Sequence, residues 1–349
     1  MSRGEISVLQ MEEGHRRDWS HYVSRHAAAT FFHELCWLDA VEQAYGHRSR
    51  YLVAFDGRRV VGVLPVFQIN SVLAGRIMVS VPYGTYGGIL ADDGAAAQAL
   101  VTEAKRLAEA HHARSLELRS IHAADPTLSV ERTHATFRGP LPAKAEEVGA
   151  CLPRKARAAA RRASEKHDLT VEFGGHLLRA VWRLYARSMR RLGSPNYPYA
   201  FFEALAANAP QGTIAQLVRC SGRPVAGLLT FRHRETVMPY FAGLDERSAI
   251  YGLSHYLYAE SMRWGVQHGY EVYDFGRSRY DNSGSFEFKR LCGFAPQALG
   301  YQTYVTPGRA APDLAPSSPR WAAARRVWKA LPLPITRPLG AWLAKSIPG

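Results

Sequence analysis

The side chains best suited to chemistry gather between Glu271 and Phe294, EVYDFGRSRYDNSGSFEFKRLCGF. Val272, Tyr273 and Phe275 read as a buried strand that breaks at Gly276. A polar loop, Asp281 to Ser285, follows the exposed run Arg277-Ser278-Arg279-Tyr280. Phe286-Glu287-Phe288-Lys289 then alternates apolar and polar residues, as a second strand would. Two strands joined by a loop rich in cations and hydroxyls suit an anion or an acyl donor. An ordinary basic hairpin loop is the other reading. Arg277 and Arg279 follow a strand end, where ligands of α/β sheets sit, and a guanidinium grips phosphate or carboxylate with two hydrogen bonds. A fold-stabilising salt bridge competes with that role. Asp274 suits the orientation of an amine or the part of a base, and it equally suits pairing with Arg277.

Three other groups carry chemical potential. Tyr251, Gly252, Ser254 and His255 open a helix expected over 253–268, and free amides at a helix start hold anions. His255 is a base by chemistry, against the plainer reading of a structural histidine. Arg154, Lys155, Arg157, Arg161, Arg162 and Lys166 crowd one predicted helix behind Pro153. Clustered cations bind phosphates of RNA or of a phosphorylated precursor, and a solvated helix face is the alternative. Tyr83 and Tyr86 lie in the glycine-rich loop Pro82 to Gly88, which suits contact with an acceptor or is simply a turn.

The chain that positions these groups has 349 residues, 47% hydrophobic and 21% charged, which fits two globular domains. Four scattered cysteines form no metal pattern and no disulfide framework, pointing to a reducing, cytoplasmic setting and no metal site. No apolar run is long enough to span a bilayer. The net charge of +14 favours polyanionic partners. After Asp313 no acidic residue occurs. There Trp321, Ala324, Trp328 and Leu331 share one helical face, with Arg325, Arg326 and Lys329 elsewhere, and a second apolar piece runs over Leu339–Ile347. Residues 320–347 thus suit an anionic membrane surface, at the inner face of the cell membrane, or a helix docked on the protein's own core.

An internal repeat organises the rest. Asp56-Gly57-Arg58-Arg59-Val60-Val61-Gly62 aligns with Ser221-Gly222-Arg223-Pro224-Val225-Ala226-Gly227 at an offset of 165, and both read as hairpins. Downstream, a strand ending Leu118-Arg119-Ser120 echoes one ending Gly276-Arg277-Ser278. Each half therefore runs helix, hairpin, strand, helix, strand, with the last strand parallel to its neighbour. This predicts an α/β chain of two similar domains with mixed β-sheets. The first covers 1–142, a linker and basic helix 143–170, the second 171–307 with the site, and a Pro-rich basic amphipathic tail 308–349.

Four segments carry a resemblance: LGSPNYPYAFFEAL from Leu192, the hairpin SGRPVAGLLTF, Tyr251–Ser278, and GSFEFKRLCGF from Gly284. The last fits a Gly-x-x-x-Phe-Lys-x-x-x-Gly-Phe pattern. Over roughly residues 30–306 the chain resembles the FemAB-like proteins of the GNAT superfamily, in particular the group associated with exosortase/PEP-CTERM systems. That resemblance implies two tandem GNAT-like (acyl-CoA N-acyltransferase) domains. It implies acyl or aminoacyl transfer from acyl-CoA or aminoacyl-tRNA, without a tightly bound cofactor or a metal. It implies a cell-envelope or exopolysaccharide-related acceptor, and it makes Lys289 the group that stabilises developing charge. The sequence departs from the GNAT pyrophosphate loop at Arg247–Ser254, where one glycine is present and Ser254 replaces the second. A catalytically silent GNAT-fold protein that binds RNA or assembles at the membrane surface is the alternative.

Overall fold

A computed structural model of the chain describes residues 5–314 and 318–349. In chain order the elements begin with β1 (Ile6–Gln10), α1 (Arg16–Arg25), α2 (Leu35–Tyr45) and β2 (Arg48–Ser49). Next come β3 (Leu52–Asp56), β4 (Arg59–Leu64), β5 (Phe67–Ser71), β6 (Gly75–Val79), β7 (Leu90–Ala91), α3 (Gly94–Ala110) and β8 (Ser115–Leu118). They continue with β9 (His134–Pro140), α4 (Val148–Cys151), α5 (Arg154–Lys166), β10 (Leu169–Phe173), α6 (Leu178–Leu192) and α7 (Tyr199–Asn208). The remainder is β11 (Thr213–Cys220), β12 (Arg223–His233), β13 (Thr236–Leu244), α8 (Leu253–Gln267), β14 (Val272–Arg279), α9 (Ser283–Leu291), β15 (Pro296–Ala298), β16 (Gln302–Val305), α10 (Ala322–Ala330) and α11 (Leu333–Ala344).

Two units result. The first comprises Met1–His134, Ala298–Ser318 and Leu343–Gly349, the second Ala135–Gln297 and Pro319–Trp342. These borders differ from those expected. β9 joins the second sheet, between β14 and β15, a long-range pairing that no local pattern displays. Residues 143–170 include α4 and α5, which pack in the core of the second unit and are no linker. The tail supplies pieces to both units.

The first unit holds sheets of order β1-β3-β4-β7 and β16-β8-β6-β5-β2. α3 is apolar on one face, and Ala96, Leu100, Val101, Ala104, Leu107 and Ala108 bury against Leu52, Val61, Met78 and Leu116. Asp93 starts it by accepting the Ala96 amide at 2.9 Å. α3 carries the chain from β6 to β8, which pair in parallel at Met78–Leu116 and Val79–Glu117.

The second unit repeats this device in a sheet of order β10-β11-β12-β13-β14-β9-β15. β11, β12 and β13 form an antiparallel meander. α8 then crosses to β14, which pairs in parallel with β13 at Thr236–Val272 and Val237–Tyr273. The helix is fixed by burying Leu253, Leu257, Ala259, Met262 and Trp264, each leucine contributing about 2 kcal/mol. Opposite Pro239, which lacks an amide hydrogen, the β12–β13 register slips by one residue and leaves Tyr240 in a bulge. Among the described residues the parallel ladder to β14 ends at Val237–Tyr273, and Met238 is the next residue of β13. Its Cε lies 2.9 Å from where a side chain on Gly276 would begin, and Gly276 itself has φ +66°.

Candidate functional site

β13 delivers the chain to a turn whose shape is set by charge and by handedness. Asp245 Oδ2 accepts Arg187 Nη1 at 2.6 Å and Arg247 Nη2 at 3.0 Å, while Oδ1 accepts Arg247 Nε at 3.1 Å. The Arg247 hydrogen bonds, with the charge of Arg187, hold this carboxyl below its ordinary range against the effect of burial. Ala249 at φ +51° and Gly252 at φ +82° then reverse the backbone into α8. The Gly252 position is crowded as well as left-handed, for a Cβ there would stand 2.1 Å from the Ala159 carbonyl oxygen of α5. No backbone acceptor takes the amides of Ser254 and His255 among the described residues. They are the unpaired donors that every helix start presents, and the helix dipole adds to their pull on an anion.

These groups open into a cavity of about 580 Å³ whose walls include Arg191, Ser248, Tyr251, Ser254, His255 and Phe288. Arg191 Nε is 2.6 Å from Glu246. The His255 ring lies 5.1 Å from Phe288, and burial lowers its pKa below the ordinary histidine value, so the imidazole is neutral at pH 7. Tyr251 is 65% exposed, with the Arg162 guanidinium 5.4 Å from its ring centre. That contact ties the cavity to α5. Ala156, Ala159, Ala160 and Ala163 bury one face of this helix. Arg154, Lys155, Arg157, Arg161, Arg162 and Lys166 remain exposed on the other, and Arg162 among them reaches the cavity wall at Tyr251. The arrangement can hold a phosphate-bearing donor at the amides and place a neutral base beside it.

The sequence candidates divide accordingly. Tyr251, Gly252, Ser254 and His255 meet in the cavity wall. Lys289, Asp274, Arg277 and Arg279 lie outside that wall. The stretch Phe286–Lys289, expected as a strand, is helix α9, started by Asn282 taking the Ser285 amide. Phe288 faces the cavity, and Lys289 turns toward β14. Its Nζ donates to the Gly276 carbonyl at 3.0 Å and the Arg277 carbonyl at 2.8 Å, and sits 5.5 Å from the Phe137 ring centre. Burial lowers its pKa to about 7, Asp274 opposing and Arg277 assisting the shift. Asp274 accepts the Gly276 amide at 2.7 Å and the Thr136 hydroxyl at 3.4 Å. Arg279 pairs with Asp281 at 2.9 Å. In the first unit Tyr83 is 1% exposed, stacked on Tyr45 and bonded to His47, so its side chain offers nothing to an acceptor. Sequence reasoning passed over Arg191, Asp245 and Phe288. The Asp-x-Arg spacing of 245 and 247 was a usable sign for one of them.

Residues 153–290, which include the whole cavity-lining turn and α8, match the family model described as Acetyltransferase (GNAT) domain. No curated protein matches the chain. Among solved structures the chain is similar to FemX, at 13% identity and TM-score 0.64, covering 86% of this chain and 97% of that one. A tandem GNAT protein from the clavulanic acid biosynthesis pathway aligns at 13% identity and TM-score 0.54, over 88% of this chain and 100% of its own. The C-terminal domain (DUF2156) of a protein described as a lysylphosphatidylglycerol synthetase, from Agrobacterium fabrum, aligns at 13% identity and TM-score 0.55, over 90% and 94%. The fold is thus a tandem GNAT-like fold, and residues 153–290 of its second unit match the GNAT domain model.

Proposed function

We propose that the protein transfers an acyl or aminoacyl group to an amine of a cell-envelope or exopolysaccharide precursor, in the manner of the FemAB-like, exosortase-associated group it resembles. The carrying observation is the cavity of about 580 Å³ at the start of α8, inside the GNAT-matching segment. The donor phosphate rests on the Ser254 and His255 amides. The amine nitrogen attacks the donor carbonyl carbon, a C–N bond forms, and the C–S or C–O bond to CoA or tRNA breaks. His255 takes the proton from the amine and returns it to the leaving sulfur or oxygen. Lys289 acts as a positioning residue, holding the Gly276–Arg277 stretch of β14 through its two carbonyls.

Aminoacyl-tRNA is the favoured donor over acyl-CoA. The exposed cationic helix α5 touches the cavity wall through Arg162 on Tyr251, and the names FemX and lysylphosphatidylglycerol synthetase belong to structural neighbours. Transfer is to be followed with labelled aminoacyl-tRNA and with acyl-CoA. His255→Ala is expected to slow it about 100-fold. Exchanging Arg154, Arg157 and Arg162 for glutamate is expected to weaken tRNA binding and flatten its salt dependence, leaving CoA binding unchanged. Absence of transfer from either donor would overturn the reading.

The tail supports a place at an anionic membrane surface. The face carrying Trp321, Trp328 and Leu331 packs on the protein: Trp328 is buried, and Arg190 Nε donates to the Leu331 carbonyl at 2.5 Å. A different apolar set is left outside, with Val327 60%, Ile335 48%, Leu339 37% and Trp342 58% exposed. Arg326 and Lys329 flank it, also exposed. Among the described residues no helix is long and apolar enough to cross a membrane. Ile335→Asp with Trp342→Asp is expected to lower binding to vesicles containing anionic phospholipid about ten-fold. Unchanged co-sedimentation would remove this surface from the proposal.

A further inference from the structure

Three arginines of the second unit crowd together with one shared carboxylate between them. Arg183 and Arg187 stand one turn apart on α6, and Arg337 comes from α11. Burial, and then the charges of Arg183 and Arg187, lower the pKa of Arg337. A lowered guanidinium marks a place where burial and like charge outweigh any counter-ion. Arg187 pairs with Asp245 at 2.6 Å, and Arg247 takes the same carboxylate at 3.0 Å. Among the described residues no carboxylate pairs with Arg183 or Arg337. Glu203 accepts the Tyr199 hydroxyl instead. The Nε atoms of Arg187 and Arg337 are both buried, and neither finds a hydrogen-bond partner among the described residues.

The fold holds this arrangement in place. Asn196, 2% exposed, donates Nδ2 to the Arg337 carbonyl at 3.3 Å and to the Tyr197 carbonyl at 3.1 Å. A Cβ on Gly340 would stand 2.5 Å from Asn196 Oδ1, so α11 lies tight on the loop that follows α6. The Arg337 guanidinium is 5.5 Å from the Trp182 ring centre, and Trp182 Nε1 donates to the Tyr197 carbonyl at 3.0 Å. A surface arginine keeps its charged head in water, whereas Arg187 and Arg337 each keep one donor out of it. A buried donor left unpaired costs its full desolvation, and a buried charge without a counter-ion costs more. A compact oxyanion answers both demands, since it accepts from the hidden donors and offsets the crowded charge. The planar fork of arginine suits the oxygens of phosphate in particular.

We propose that Arg183, Arg187 and Arg337 form a phosphate-binding site where α11 meets α6. The ligand is a phosphate group, carried by a soluble phosphate ester or by a phospholipid headgroup. None of the three arginines lines the cavity at the start of α8, and the site does not depend on the transfer reaction. Because its cations come from both helices, an anion there ties α11 to α6 and stabilises the folded chain in proportion to its occupancy.

The test uses the full chain. Thermal unfolding is followed in inorganic phosphate and in glycerol 3-phosphate, each against sodium chloride at equal ionic strength. A saturable rise in Tm is expected with the phosphates and not with chloride. Arg183→Gln and Arg337→Gln are each expected to weaken phosphate binding at least about ten-fold. Arg337→Lys keeps the charge and loses the fork, and it is expected to forfeit most of the rise, which a diffuse positive potential does not explain. Should Arg337→Gln not fold, Arg183→Gln, at an exposed position, carries the test. Co-sedimentation with phosphatidylcholine vesicles, with and without phosphatidic acid, separates the sources. Binding that needs phosphatidic acid and is lost in Arg183→Gln assigns the phosphate to a headgroup. A Tm rise with no such vesicle binding assigns it to a soluble ester. Ile335→Asp with Trp342→Asp is expected to keep the Tm rise, so this site and the apolar membrane surface stand or fall separately. An equal rise in chloride, an equal rise in Arg183→Gln, or no rise and no phosphatidic-acid-dependent binding would overturn the site.

Discussion

Lys289→Ala is expected to destabilise the protein by about 3 kcal/mol, the cost of leaving two buried carbonyls without a donor beside a new void. The carbonyls are those of Gly276 and Arg277, and the void opens against Phe137. Lys289→Met keeps most of the volume and is expected to lose less. The pH dependence separates the charge from the packing. Burial lowers this lysine to about 7 in the folded chain, whereas the unfolded chain titrates near ~10.4. Between those values the unfolded chain binds a proton that the folded chain has released, so stability from this group rises with pH across the window. Below pH 7 both states are protonated, and its contribution is flat at its least favourable level. Urea unfolding at pH 6, 8 and 9.5 is therefore expected to show the unaltered protein gaining on Lys289→Met as pH rises. Parallel profiles would mean that the ammonium pays no burial cost, and the positioning role would go with it.

The segment around Lys289 shows what a sequence can and cannot carry. Four residues, Phe286 to Lys289, fit a period of two as well as a helical one. The decisive residues are Asn282, whose side chain caps the helix, and Cys292, buried a turn beyond Phe288 and Lys289. The repeat was legible because hairpins are local: Asp56-Gly57 and Ser221-Gly222 do turn β3 into β4 and β11 into β12. The parallel pairs β6–β8 and β13–β14 followed from the crossover helices between them. β9 was not legible, since its partners in the sheet are more than a hundred residues away in sequence. Tyr83 misled for a related reason. Its loop has the composition of an exposed turn, yet its ring is covered by Tyr45, and its amide and hydroxyl meet residues 344–348. In the site, the helix start at Gly252 to His255 could be read from residue types. The cavity it faces depends on Phe288 and Arg191, brought there by α9 and α6.

Gly252→Ala is expected to abolish donor binding and to cost about 3 kcal/mol or more in stability, well beyond what its backbone angle alone explains. A left-handed alanine costs about 1–2 kcal/mol. Gly222 measures that cost cleanly, since it has φ +77° in the turn between β11 and β12 and nothing within 4 Å of an added Cβ. Gly222→Ala should therefore lose about 1 kcal/mol and leave the site intact. At Gly252 the added carbon would stand 2.1 Å from the Ala159 oxygen and 2.6 Å from its carbonyl carbon. Those are backbone atoms of α5, whose alanine face has no longer side chain to withdraw. Either α5 lifts off α8 or the first turn of α8 shifts, and that turn carries the Ser254 and His255 amides. Both responses also separate Arg162 from Tyr251 at the cavity mouth. Urea midpoints and calorimetric titration with CoA thioester and aminoacyl-tRNA, run on the two alanine variants side by side, check this. If Gly252→Ala behaved like Gly222→Ala in both measurements, the contact between α5 and α8 would not be what shapes the donor site.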